Sequence, residues 1–191
     1  MKTLNRSRLH ALLLTFPWLF LCQCDDLSAK GPEPSYEGCA SDENWITLDN
    51  ALKSASTQVD PEQAPIFTEP TSDAFLASDV AAVFRFAPSK SSAGQRDGNV
   101  VCPQYQPQHH GGLSPLHLPE VTGTVFDLHV HIDGSDVYRV LTTRQFAGIP
   151  LATWRTWTGK TLTVTLYRSH FQKNEIVSGP FRSVPLSVSI K

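Results

Sequence analysis

Methionine occurs once in this chain, as Met1, so no thioether is available anywhere else to ligate copper(I). Cysteine occurs four times and never as a Cys-x-x-Cys pair, which removes the common structural zinc modules. Long apolar runs are also scarce. The one candidate, residues 11 to 21, is about half the roughly twenty residues that a spanning helix needs. Cationic excess is missing too: the formal net charge is −2, and removal of Lys2, Arg6 and Arg8 with an N-terminal peptide would leave the rest more acidic still. Nucleic-acid binding rests on phosphate neutralisation by Lys and Arg, so no nucleic-acid partner is expected. Neither a Gly-x-Ser-x-Gly elbow nor a phosphate-cradling glycine loop occurs. An enzyme is therefore not expected, and no cofactor is assigned.

What is present is alternation. Phe126, Leu128, Val130 and Ile132 fall on every second position with Asp127, His129, His131 and Asp133 between them, the period of a strand with one buried face. Leu162, Val164 and Leu166 repeat the rhythm among Thr161, Thr163, Thr165 and Tyr167. Asp133-Gly134 is a favoured two-residue hairpin turn and should set the first run against Val137 to Leu141. Phe84 and Phe86, with Val80 and Ala82 in phase, predict another strand over 79 to 86. Asn99 to Cys102 is a further short apolar run. The 14 Pro and 11 Gly fit many short strands better than long helices. Pro65 and Pro70 around Ile66-Phe67, and Pro185 within the alternating run of Val184, Leu186, Val188 and Ile190, place those two strands at sheet edges.

Elsewhere the pattern is mixed. Trp45, Ile46 and Leu48 suggest a short strand, followed by a short helix capped at Asp49. Leu151, Trp154 and Trp157, three apart, fit either a twisted strand or one helical turn. Residues 89 to 98 read as an exposed loop. Residues 103 to 119 carry Pro103, Pro107, Pro115, Pro119 and Gly111-Gly112, which forbid regular structure.

The N-terminus reads as an address. Three cationic residues precede the apolar run of 11 to 21, the length of a signal-peptide core. Its exit, Leu19-Phe20-Leu21-Cys22-Gln23-Cys24, resembles the lipobox of bacterial lipoproteins, in which a Leu stands three residues before a cysteine that is acylated. The resemblance implies lipidation at Cys24, with Cys22 second, although Gln23 and Leu21 occupy the position where the family has a small residue. Ordinary cleavage after Cys24 is the alternative. Asp25 to Gly38 has little apolar content and reads as a tether. Cys39 and Cys102 then remain for one disulfide, as expected in an oxidising compartment.

The closing third, from Tyr138 through Trp157-Thr158-Gly159-Lys160 and Leu162 to Leu166, on to Pro180-Phe181 and Val184, is similar to the last strands of fibronectin type III and other immunoglobulin-like modules. The likeness implies a fold and no particular activity. Asp127-Leu128-His129-Val130-His131-Ile132-Asp133-Gly134 resembles the His-x-His opening of amidohydrolases and PHP-type phosphoesterases. Too few residues follow Asp133 for the barrel of about 250 residues that those families use.

The sequence thus predicts an all-β protein: an immunoglobulin-like antiparallel β-sandwich of about seven or eight strands over 42–191, after a signal peptide (1–24) and a tether (25–41). Its expected function is that of an exported, lipid-anchored envelope protein with a non-catalytic binding or structural module, its partners being the membrane and an envelope protein or glycan. A soluble secreted domain binding protein or carbohydrate is the second reading; Trp154 and Trp157 belong to the core or, if exposed together, make an aromatic platform for it. A histidine-based metal-binding protein is the third. In it His129 and His131 share one strand face and His109 supplies a third ligand, with His110, His117 and His170 as substitutes. The bland reading of the same pair sets both histidines on the solvent face opposite Phe126.

Overall fold

The computed structural model describes residues 32–54, 60–89 and 120–191. Among these residues ten strands form two sheets, so the all-β expectation holds. The signal peptide, most of the tether, Asn99 to Cys102 and the 103–119 segment lie outside the described residues.

Two long strands carry the architecture. Strand β5 (Gly123–Ile132) and strand β8 (Thr161–Gln172) pair antiparallel, with Phe126 opposite Arg168, Leu128 opposite Leu166 and Val130 opposite Val164. Strand β6 (Ser135–Thr142) flanks β5 on its other side, joined by the Asp133-Gly134 turn. Asp133 has φ 51° and Gly134 φ 82°, the left-handed pair that a two-residue hairpin demands. Strand β9 (Glu175–Arg182) and strand β10 (Leu186–Ile190) run end to end along the far edge of β8. Within β9, Gly179 sits at φ 97°, where a Cβ would stand 2.6 Å from the Arg168 carbonyl oxygen, so only glycine fits that close approach.

The sheet is completed by two short strands, β1 (Ser35–Glu37) on β6 and β3 (Ala74–Leu76) on β10, both parallel to their neighbours. The expected all-antiparallel pairing therefore fails at both outer positions. Strand β1 also falls inside the stretch expected to be tether. Three-residue strands such as these carry too few positions for alternation to mark them, which is why the count of ten exceeds seven or eight. Pro185 does not put β10 at an edge either, because it lies just before the strand and removes no ladder bond from it.

One face of this large sheet meets a three-stranded sheet of β2 (Ile66–Glu69), β4 (Val83–Ala87) and β7 (Phe146–Gly148), in the order β2-β4-β7. Phe126, Leu128, Val130, Leu162, Val164 and Leu166 pack there against Phe84, Phe86 and Ile149. Val80 lies outside this core and is exposed, so β4 starts later than expected. The short helix α2 (Leu151–Arg155) closes one end. Its Trp154 and the following Trp157 are 0% and 8% exposed, joined edge to face at 6.0 Å, and the Trp154 indole N–H donates to the Ala77 carbonyl at 2.9 Å. The aromatic platform expected of them is therefore corrected: both rings are core, because a single helical turn folds them inward.

The other face of the large sheet is covered by helix α1 (Asp42–Ser54), thirteen residues long where a strand and a short helix were expected. Its start follows capping-box logic. The Ser41 backbone N–H and hydroxyl both donate to Asn44 Oδ1, at 3.2 and 3.0 Å, while Asp42 and Glu43 complement the dipole of the first turn. Leu48 packs on Val121, Val125, Leu141 and Phe171, with Trp45 and Leu52 beside it. Asn174, in the β8–β9 turn, pins the helix start. Its Oδ1 accepts from Val121 N–H at 2.7 Å and from the Asn44 amide at 3.0 Å, and its own amide donates to Glu43 at 2.9 Å.

Trp154→Ala is expected to cost about 3–5 kcal/mol, since it leaves a large cavity in the apolar layer. Val184→Ala, at an exposed bend, should stay within about 0.5 kcal/mol. Urea denaturation of both variants checks the assignment of core and surface.

Candidate functional site

Paired residues of an antiparallel ladder share a face, and this decides which side chains meet Asp127, His129 and His131. Across β8 they face Tyr167, Thr165 and Thr163. Across β6 they face Leu141, Arg139 and Asp136. The β6 set is not evenly spaced, because the register slips at Val137: Asp136 pairs with His131, yet Tyr138 pairs with Val130. The unpaired extra residue is a β-bulge. Without it Arg139 would oppose Leu128 and point into the apolar layer. With it, Arg139 lies on the same face as Asp127 and both histidines, and α1 supplies Asp49 and Trp45 from above.

The result is a chain of charges from the helix to the hairpin. Arg139 Nε donates to Asp127 Oδ1 and Oδ2 at 2.8 and 3.1 Å, and its Nη2 also donates to Asp127 Oδ2. Its Nη1 reaches Asp49 at 3.2 Å, and its guanidinium carbon lies 6.0 Å from the Trp45 ring centroid. His129 Nε2 stands 3.0 Å from Asp127 Oδ2, an ionic contact without an aligned hydrogen bond. On its other side His129 Nδ1 is 3.4 Å from Asp136 Oδ2, and His131 Nδ1 is 3.0 Å from Asp136 Oδ1. The two imidazoles lie nearly parallel at 6.1 Å, and Tyr167 closes on His129 edge to face at 5.1 Å.

These contacts set the protonation states. Burial opposes charge on Asp127, but the neighbouring His129 and the Arg139 hydrogen bonds outweigh it and hold the carboxyl down at about 2. Burial likewise opposes charge on His129, but Asp127 and then Asp136 overcome it and lift the imidazole to about 9. His131 shifts the other way. Desolvation lowers it and the charge on His129 adds to the fall, against partial support from Asp136. At neutral pH one imidazole is a cation held between two carboxylates, while its neighbour keeps a free lone pair.

Of the sequence-based candidates, His129 and His131 come together as expected, but the solvent-face reading fails for His129, which is buried beside Tyr167. His109, with His110 and His117, lies outside the described residues. His170 pairs with Thr124 and so stands on the opposite face of the sheet, out of reach. Asp136 takes the third position, and one ligand atom from each of His129, His131 and Asp136 lies within 4.8 Å of the others. Sequence reasoning passed over Asp136, though the signal was present. A two-residue turn at Asp133-Gly134 puts residue 136 opposite residue 131. Arg139 and Asp49 had no such signal, since one depends on the bulge and the other on helix docking.

A second concave feature is a groove of about 690 Å³ lined by Pro61, Pro65, Phe67, Pro70, Val184 and Pro185 among others. Arg182 is the one charged residue of its lining, so it offers apolar contact rather than chemistry. Compared with protein-family models, curated proteins and solved structures, the chain matches none.

Stability should depend on pH at both ends. Because His129 is raised, its contribution is complete below its unfolded value near 6.5 and is lost as pH climbs through about 9. Because Asp127 is lowered, its contribution is complete above about 4 and is lost as pH falls toward 2. Urea unfolding across that range, with NMR titration of the imidazoles, checks both limbs. Arg139→Met, which strands a buried carboxylate, is expected to cost about 3–5 kcal/mol, and adding Asp127→Leu should recover part of the loss.

Proposed function

We propose that the protein is exported and held at a cell envelope by an N-terminal lipid, presenting its β-sandwich as a non-catalytic binding or structural module. One arrangement carries this reading. A cationic start and an apolar run of 11 to 21 end in Leu21-Cys22-Gln23-Cys24, and a short polar spacer then leads into β1 at Ser35. Cys24 is the acylated residue, with Cys22 second. Acyl chains tether a domain through buried CH2 groups and need no spanning helix. Among the described residues no helix is long and apolar enough to cross a membrane.

Export also gives Cys39 and Cys102 an oxidising setting in which to pair. Cys39 follows β1, and its Sγ accepts from Thr143 Oγ1 at 3.7 Å just beyond β6. A disulfide there fastens the start of the folded body to the sheet. Closing about sixty residues of chain contributes roughly 2–4 kcal/mol in the loop-entropy account. The partners of this reading are the membrane, through the anchor, and an envelope protein or glycan.

Intact mass of the full-length chain expressed in a bacterial host should show a mature protein beginning at Cys24 and carrying acyl groups. Cys24→Ala should move it from the membrane to the soluble fraction. An unmodified chain beginning at Asp25 would leave the soluble secreted reading in place of the anchored one. Cys39→Ser should lower stability by about 2–4 kcal/mol, matched by the loss on reducing the parent protein.

A further inference from the structure

We propose that His129, His131 and Asp136 form a three-ligand site for one divalent transition-metal ion of the zinc or copper(II) class, open to solvent at the hairpin end of the large sheet. Three features of the geometry carry this. The first is size. Metal–nitrogen and metal–oxygen bonds of about 2.0–2.2 Å let one ion touch donors up to roughly 4 Å apart, and the three donors lie within 4.8 Å of one another, so a side-chain adjustment of about 1 Å brings all three onto one ion. The second is donor chemistry. Two imidazoles and one carboxylate suit zinc, copper(II) or nickel, whereas magnesium and calcium call for oxygen shells.

The third feature is the support behind the ligands. Asp127 stands 3.0 Å from His129 Nε2, which leaves Nδ1 directed toward Asp136. Asp127 is in turn fixed by Arg139, and Arg139 by Asp49. A carboxylate behind a ligating histidine helps to hold the ring in place, and here the carboxylate is anchored from the helix as well. Side-chain exposure rises from 10% at His129 through 26% at His131 to 33% at Asp136, so an ion enters from the hairpin side and keeps a position for water.

The test is calorimetric titration of zinc chloride into the full chain, purified without an affinity tag, with cobalt(II) absorption as a second readout of coordination. One ion per chain is expected, with intense cobalt bands of low coordination number. His131→Ala and Asp136→Ala, both at partly exposed positions, should each weaken binding by tenfold or more. Asp136→Asn, which keeps the shape, serves if the alanine variant loses its far-ultraviolet dichroism. His109→Ala with His110→Ala should leave binding unchanged. A folded chain that takes up no zinc at millimolar concentration overturns the proposal. So does binding that survives His131→Ala and the Asp136 variants, or binding that is lost with His109 and His110.

Discussion

Asp127 is a carboxylate with no exposure to water, set in the middle of the longest pairing in the protein, and Arg139 is what allows it to stay ionised there. A lone buried charge of this kind would cost several kcal/mol or take up a proton. Three donations from one guanidinium remove that penalty. The same guanidinium reaches Asp49 on α1 and lies over Trp45, so the pair that neutralises the sheet also seats the helix. The second face of the large sheet is consequently closed, half by Leu48 on Val125 and Leu141, half by charge on charge. Buried ion pairs add little net stability over apolar packing, but they are intolerant of misplacement. This one sets the position at which the helix meets the sheet.

That constraint propagates into the histidines. Asp127 has a second neighbour in His129, and Asp136 holds both His129 and His131 from the hairpin. The two imidazoles differ by two positions in sequence and lie on one face, yet two carboxylates overcome burial to charge the first, while desolvation and the neighbouring cation leave the second neutral. Unequal neighbours, rather than unequal chemistry, make them different.

Much of the scaffold could be read from residue order. The alternation of Phe126, Leu128 and Val130, and that of Leu162, Val164 and Leu166, marks the two central strands. Asp133-Gly134 marks the hairpin that joins the first of them to β6, and Phe84 and Phe86 mark the facing sheet. The helix α1 was obscured because Trp45, Ile46 and Leu48 mimic a strand over a few residues. Its better markers were polar: Ser41 with Asn44 at the cap, Asp42 and Glu43 in the first turn, and Lys53 in the last. Trp154 and Trp157 were ambiguous for a related reason, since a spacing of three fits one helical turn and a twisted strand alike. Only packing against Phe84 and Tyr138 turns them inward.

Residue order by itself determined the class of fold, the two central strands, and the sharing of one face by Asp127, His129 and His131, because side chains alternate along any extended strand. It also determined that residue 136 comes opposite residue 131, since a two-residue turn leaves no other register. Tertiary structure decided the rest. An added residue at Val137 moves Arg139 from the apolar face to the charged one, and a helix from far earlier in the chain brings Asp49 and Trp45 onto it. A bulge is a choice between ladder registers, made by where Val140 and Leu141 pack, and that choice exists only once the sheet and the helix have come together.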